Sequence, residues 1–361
     1  MNILLVEPDY YSRYPPLGLL KLASYYRSLG DKIYYVRGLN IDVEKVNRIN
    51  ITSLFTYSWR PVHQAIQYYH NLYPDAEIMV GGIYATLLSM NIKNHYPFAK
   101  IHSGLHLQAE SYLPAYDILK WVEKWKDWNS SIVFTSRGCI RKCPFCVVPK
   151  MEGYFKADKP SIMPLIYPNH KKVVIWDNNF LASPYATSML KELRDHKITP
   201  DFNQGLDARL MNEETAGLLA DLKPKNIHFS YDWIGEKKDV KKTIDLLANA
   251  GYQKRHIIFY MIYNFYDLKN KYGDTPADFL IRLQNLMKWG VSAYPMRYVP
   301  LDALDKNYFI SPYWNTEQLE MIAGARRVLG YGGAFVPYNG FVEKIMNAKT
   351  FEIAMELRPK Y

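Results

Sequence analysis

All three cysteines of this 361-residue chain fall within eight positions, at Cys139, Cys143 and Cys146. The spacing C-x3-C-x2-C puts three soft ligands on one short stretch and leaves no thiol anywhere else. Three thiolates so spaced can take three irons of a [4Fe–4S] cluster, which leaves the fourth iron without a cysteine. Such a vacancy is chemically useful, because a substrate or cofactor can bind the open iron directly. Two plainer readings stand beside this one. Free cysteine is a frequent buried residue, so the three can be core thiols. A structural zinc site normally has four ligands, and no histidine lies within the motif to supply one. Arg137, Arg141 and Lys142 crowd positive charge around the stretch, which favours thiolates and a net-negative cluster.

The length allows two domains with real cores. With 48% apolar and 22% charged residues, the composition argues against disorder. No apolar run reaches membrane-spanning length, so no membrane partner is expected. The start, Met1 to Asp9, lacks the basic region of a signal peptide and reads as a strand. Clustered cysteines fit a reducing, cytoplasmic setting better than a disulfide framework. A net charge of +10 is compatible with a polyanionic partner. No long basic tail or nucleic-acid module accompanies it, so lysines spread over helix faces, as in Lys237 to Lys242, are the preferred explanation. The 31 tyrosines could supply stacking surfaces. Their dispersed pairs, such as Tyr10-Tyr11 and Tyr68-Tyr69, suit amphipathic packing better.

Residues 1–120 alternate strand and helix patterns. Strands are expected at Ile3 to Val6, Ile33 to Val36, Ile51 to Phe55, Glu77 to Val80 and Lys100 to His102. Helices are expected at Leu17 to Leu29, stopped by Gly30, and at Pro61 to Leu72. This alternation predicts a doubly wound, Rossmann- or flavodoxin-like parallel sheet. Trp121, Trp125 and Trp128 then share a helical spacing and suggest an interdomain packing stripe.

Residues 130–300 offer six further strands, at Ile132 to Ser136, Val173 to Trp176, Asp201 to Gln204, Ile227 to Tyr231, His256 to Tyr263 and Ala293 to Tyr298. Helical patterns separate most of them. Asn212 and Thr275-Pro276 read as helix starts, and Gly251 and Gly290 as stops. Six such units make a partial (β/α)6 barrel, whose chemistry is expected at the C-terminal strand ends. Residues 301–361 form a helical extension, with helices expected at Glu317 to Leu329 and Phe341 to Leu357 and a turn at Gly330 to Ala334.

The cysteine motif resembles the signature of the radical S-adenosylmethionine (SAM) superfamily. Phe134 to Cys139, a strand ending in Ser-Arg-Gly-Cys, is similar to the usual approach to that motif, and Phe145 stands where the family favours an aromatic beside the adenine. The resemblance implies that Cys139, Cys143 and Cys146 bind a [4Fe–4S] cluster and that its open iron chelates SAM. Asp177, Asn178 and Asn179, followed by Phe180, match a D-[DN]-N-F variant of the element that holds the SAM amino group. Gly205 to Leu210 resembles a G-L-[DR]-A-R stretch. Its Arg209 either meets the SAM carboxylate, for which a guanidinium fork is suited, or forms a salt bridge to Asp207 or Glu214. Ser230 and Asp232 are placed to reach the ribose, or they merely terminate a strand. Arg297 is placed for substrate or SAM.

Pro15 to Leu20 and Val80 to Thr86 resemble stretches of the cobalamin (B12)-binding-like domain that precedes many radical SAM cores. None of the nine histidines has an aspartate two positions before it, so the D-x-H-x-x-G motif for cobalt ligation is absent. Cobalamin can be held without a protein histidine, so its binding stays open.

The expected function is that of a radical SAM enzyme generating a 5′-deoxyadenosyl radical on an unidentified substrate, whether small molecule, peptide or RNA. Flavodoxin or ferredoxin is the expected reductant. A cobalamin-dependent methyltransferase and a non-catalytic iron–sulfur scaffold or electron carrier are the alternatives. Hydrogen abstraction needs a substrate C–H held near a radical, so no catalytic side chain stands out. Three cysteines are too few for methylthiotransferases with a second cluster or for RNA-adenine methylases with two catalytic cysteines.

Overall fold

Ile3, Leu4, Leu5 and Val6 are fully buried, as an apolar run must be in a strand covered on both faces. The structure, a computed structural model, describes residues 1–39, 43–326, 329 and 339–356. It divides into two compact units: Met1–Asn129 with Lys150–Gly153 and Pro300–Tyr308, and Ser130–Pro149 with Tyr154–Val299 and Phe309–Tyr361.

The first unit runs β1 (Asn2–Glu7), α1 (Leu17–Ser28), β2 (Lys32–Arg37), β3 (Arg48–Ser53), α2 (Trp59–Leu72), β4 (Glu77–Gly82), α3 (Ile83–Leu87), α4 (Ser89–His95), β5 (Lys100–Ile101) and α5 (Leu107–Glu110). Its five strands lie in the order β2-β1-β3-β4-β5, every pair parallel. That is the flavodoxin-like order, with the reversal between β1 and β3. The third strand begins three residues earlier than its pattern suggests, because Ile49 and Ile51 supply the buried face while Leu54 and Phe55 leave the ladder. Gly82 has φ 100°, and a Cβ there would lie 2.1 Å from the Ser53 carbonyl oxygen, so the adjacent strand end admits only glycine.

The tryptophan stripe does not form. A 3-10 turn ends at Trp121, and successive turns carry the chain to Trp128. Trp121 is 54% exposed and Trp125 only 5%. The Trp125 indole N–H donates to Glu7 Oε2 at 2.7 Å, and Trp128 meets the Tyr14 ring edge-on at 5.8 Å. Trp125 and Trp128 find partners within this unit and meet each other edge-on at 6.2 Å, while Trp121 stays exposed, and that overrides the helical spacing.

The second unit carries β6 (Ser130–Val133), α6 (Val148–Met151, whose last two residues belong to the first unit), β7 (Lys172–Ile175), α7 (Ala186–Asp195), β8 (Thr199–Asp201), α8 (Glu213–Leu222), β9 (Ile227–Ser230), α9 (Lys237–Asn249) and β10 (Ile257–Tyr263). The hairpin β11 (Tyr266–Asp267) and β12 (Tyr272–Gly273) follows, then α10 (Pro276–Trp289), β13 (Ser292–Arg297), α11 (Thr316–Ala325), α12 (Asn339–Asn347) and α13 (Phe351–Met355). The six longer strands form two parallel three-stranded sheets, β6-β7-β8 and β9-β10-β13. A parallel bridge between Leu206 and Phe229 links them, with the Leu206 N–H donating to the His228 carbonyl at 2.7 Å. Strands β6 and β8 lie two residues before their expected starts. Phe134 to Ser136 and Phe202 to Gln204 therefore become the loops above the sheet.

Helix termini follow local chemistry. The Asn212 side chain caps α8 by accepting from the Thr215 N–H at 2.9 Å, and Thr275 with Asp278 forms a capping box ahead of Pro276. Leu319, Ile322, Ile345 and Phe351 of the tail join the same core as β7, β9 and β10. The helix expected over 341–357 is interrupted, because Thr350 turns out of it to cap α13. The helix expected from Glu317 ends at Ala325, and the turn Gly330 to Ala334 lies outside the described residues. Among the described residues no helix is long and apolar enough to cross a membrane.

Candidate metal and cofactor site

The cysteine stretch follows β6 and is pinned before it begins. Gly138 has φ 72°, and a Cβ there would lie 2.5 Å from the Tyr154 carbonyl oxygen. Arg137 and Lys156 exchange backbone hydrogen bonds of 2.9 and 2.8 Å around it. Cys139, Cys143 and Cys146 are half-buried and unpaired with each other. The Arg141 N–H points to Cys139 Sγ at 3.3 Å and the Val148 N–H to Cys146 Sγ at 3.5 Å. Donors aimed at sulfur favour the thiolate, the form a metal needs. Burial first, then Cys146 and Asp232, push the Cys143 thiol up to about 11 against the opposing charge of Arg209. In the metal-free protein that proton stays on, so loading iron means displacing it.

Among the described residues no three His, Cys, Asp or Glu side chains gather around a single ion position. A cubane asks each thiolate to meet a different iron, and the donor set, three thiols with N–H groups directed at two of them, fits that group.

Beside the cysteines, the end of β7 divides its labour. Asp177 is buried and turned back on β6: its Oδ1 accepts from the Thr135 N–H at 2.7 Å, and its Oδ2 accepts from Thr135 Oγ1 and Ser136 Oγ, each at 2.6 Å. Burial raises its carboxyl above the usual range although these hydrogen bonds pull the other way. Asn178 is half-buried. Asn179 faces the cysteines, its Nδ2 donating to Cys139 Sγ at 3.6 Å and to Asp207 Oδ2 at 3.1 Å. Its Oδ1 is buried with no hydrogen-bond donor, an acceptor placed for a group the protein does not provide.

Arg209 pairs with Asp207 through Nε at 2.7 Å and with Glu236 through Nη1 at 3.2 Å. Glu214 instead meets Lys191 at 2.8 Å. Asp207 also accepts from Arg141 Nε at 2.9 Å. Burial alone would raise the Asp207 carboxyl, but the hydrogen bonds and charges of Arg209 and Arg141 hold it below the usual range. Ser230 is half-buried at the end of β9. Asp232 Oδ1 accepts from the Ile262 N–H at 2.8 Å, and burial raises its carboxyl. The Phe145 ring packs edge-on against Phe265 at 5.3 Å. Arg297 donates to the Phe309 carbonyl at 3.1 Å, which ties it to the chain leaving the sheet.

Three participants were not read from the sequence as parts of the site. Glu236 directly precedes the lysine-rich helix face of Lys237 to Lys242, and its carboxylate folds back onto Arg209 and the Asp232 N–H. Arg282 is fully buried. It donates to the Tyr231 carbonyl at 2.7 Å and the Ile262 carbonyl at 3.0 Å, and pairs with Asp274. Burial, opposed by Arg282, pushes the Asp274 carboxyl up to about 7. A cation among Phe279, Leu283 and Leu286 was the available signal.

In the first unit, the end of β1 is internally paired. Glu7 accepts from the Tyr35 hydroxyl and the Trp125 indole, each at 2.7 Å, and lies 3.4 Å from Arg37 Nε. The loop from Glu7 to Pro16 has no histidine to offer a cobalt ion.

No family model matches the chain, and no curated protein matches it. Solved structures do. The radical S-adenosylmethionine methyltransferase TsrM from Kitasatospora setae, with cobalamin and a [4Fe–4S] cluster bound, matches at a TM-score of 0.61 and 14% identity, over 83% of this chain and 77% of that one. OxsB, a cobalamin-dependent S-adenosylmethionine radical enzyme with aqua-cobalamin and S-adenosylmethionine bound, gives 0.45 at 14% identity, over 85% and 51%. The Escherichia coli coproporphyrinogen III oxidase HemN, a radical SAM enzyme, gives 0.34 at 11% identity, over 55% and 52%. At such identities the first likeness speaks for fold and the other two add nothing to it. The chain thus has the fold of a radical SAM enzyme, and its three-cysteine loop stands at the end of the first strand of the second unit.

Proposed function

We propose that this protein is a radical SAM enzyme. The observation that carries the reading is the meeting, above β6, β7 and β8, of three cysteine thiols, the unsatisfied Asn179 Oδ1 and the Asp207–Arg209 pair. In this reading the two three-stranded sheets together make the partial barrel, residues 130–300 form its core and residues 1–120 the cobalamin-binding-like domain.

Cys139, Cys143 and Cys146 would hold a [4Fe–4S] cluster, and the Arg141 and Val148 N–H groups would favour their thiolate forms. The chemistry supplied with that cluster is one-electron reductive cleavage of SAM to a 5′-deoxyadenosyl radical. Asn179 Oδ1 would accept from the SAM amino group, and Arg209 would receive the carboxylate. Asp232 would accept from the ribose, with Ser230 beside it, and Phe145 would pack near the adenine. Asp177 acts at one remove, holding the β6 end on which the cysteine loop is built. The proposed partners are a reductant such as flavodoxin or ferredoxin and a substrate that is a small molecule, peptide or RNA.

A cobalamin-dependent methyltransferase is the second reading, favoured by the fold likeness to a cobalamin-bound methyltransferase. An electron carrier would normally use a fully ligated cluster, which three cysteines do not supply.

Anaerobic reconstitution is expected to load about four irons per chain, as one cubane requires. Dithionite and SAM should then give slow release of 5′-deoxyadenosine. An intact cluster in Cys143→Ala, or reconstituted protein that leaves SAM uncleaved, overturns the proposal.

A further inference from the structure

Asp207 holds two arginines in the same unusual way. Arg141, from inside the cysteine stretch, and Arg209, from the loop after β8, both reach it through Nε, at 2.9 and 2.7 Å. A guanidinium that meets a carboxylate end-on spends its Nη pair, whereas one held through Nε keeps Nη nitrogens for another acceptor. Here Arg209 uses Nη1 on Glu236 at 3.2 Å. Arg209 Nη2 and both Nη groups of Arg141 make no hydrogen bond to the described residues. Asp207 is itself buried and fixed from a third side by Asn179 Nδ2 at 3.1 Å. Its remaining bond, from the Arg209 N–H at 3.2 Å, closes its own loop. One carboxylate therefore ties together the loops after β6, β7 and β8.

We propose that Asp207 is a positioning residue that sets Arg141 and Arg209 as a two-arginine clasp for the carboxylate of SAM's methionine portion. The inference rests on the radical SAM reading and deepens it: the carboxylate is received by two guanidiniums, one of them carried on the cluster loop itself. Arg141 lies between Cys139 and Cys143, so binding the carboxylate also braces the ligand loop. Asp207 offsets part of the charge of the two arginines, which would otherwise repel each other.

The test compares SAM with decarboxylated SAM, which keeps the sulfonium, ribose, adenine and amine but lacks the carboxylate. Binding of each is measured by calorimetry on reconstituted wild type, Asp207→Asn and the part-exposed Arg141→Gln, with iron counted in every sample. Wild type should prefer SAM. Both variants should keep their iron and lose about tenfold in SAM affinity, the scale of one charge-assisted hydrogen bond, while affinity for decarboxylated SAM stays unchanged. Asp207→Glu should restore part of the preference. An equal loss for both ligands in Arg141→Gln would mean general damage to the site and overturns the clasp, as does an undiminished preference for SAM. Wild type that takes up iron but binds neither ligand overturns the radical SAM reading, and the clasp falls with it.

Discussion

The Asn179 amide donates to the sulfur of Cys139 at 3.6 Å, and the same side chain leaves its oxygen buried without a donor. One residue thus touches a candidate iron ligand on one side and presents an unused acceptor on the other. Asn179→Ala removes both. We expect it to retain iron, because the three thiols remain, and to bind SAM about tenfold more weakly, the scale of one lost hydrogen bond. Calorimetry beside an iron assay checks this; unchanged SAM affinity would remove Asn179 from the site.

Gly138 is the backbone hinge of the cysteine loop. With φ 72° and a would-be Cβ 2.5 Å from the Tyr154 carbonyl, alanine forces the loop to shift. Gly138→Ala should lower cluster occupancy and thermal midpoint together, by at least about 2 kcal/mol of stability, in the range of overpacking and backbone strain. Gly153→Ala, also at positive φ but with open space around its would-be Cβ, should cost less. Equal melting and equal iron in the two variants would contradict the hinge role.

His63 sits buried in the first unit, 2.8 Å from the Tyr84 hydroxyl and edge-on to His95 and Tyr96. Burial first, and the neighbouring His95 second, lower its pKa to about 4. The folded protein therefore keeps it neutral where the unfolded chain protonates it. Its contribution to stability is whole above about pH 6.5 and is lost as pH falls toward 4, with a slope of at most about 1.4 kcal/mol per pH unit. Denaturant midpoints of the metal-free protein should fall over that window, and those of His63→Gln should fall less. Parallel curves would assign the pH dependence to other groups.

Hydroxocobalamin tests the first unit. With no histidine between Glu7 and Pro16, any cobalamin retained after desalting should show a Co(II) EPR spectrum without histidine nitrogen splitting. Such splitting at full stoichiometry would refute this. Stoichiometric cobalamin without the splitting would move the function towards methyl transfer.

What the sequence determined by itself was local. The cysteine spacing, the buried runs Ile3 to Val6 and Ile257 to Tyr263, and the caps at Asn212 and Thr275 depend on residues within one turn or strand of each other, so their physics is complete in a short window. The resemblance carried by Cys139 to Cys146 led to the radical SAM fold for the same reason. Tertiary structure alone decided the partners. Arg141 and Asp207 are 66 positions apart, and Tyr231 and Arg282 are 51 apart. Nothing in either neighbourhood announces the other until parallel strands bring their C-terminal ends to one edge. Burial then does the selecting: a carboxylate or guanidinium removed from water must find its counterpart or its hydrogen bonds. Asp207 therefore settles on Arg141 and Arg209, Glu236 turns from the start of α9 onto Arg209, and Trp125 and Trp128 give up a helix face shared with Trp121 for contacts with Glu7 and Tyr14.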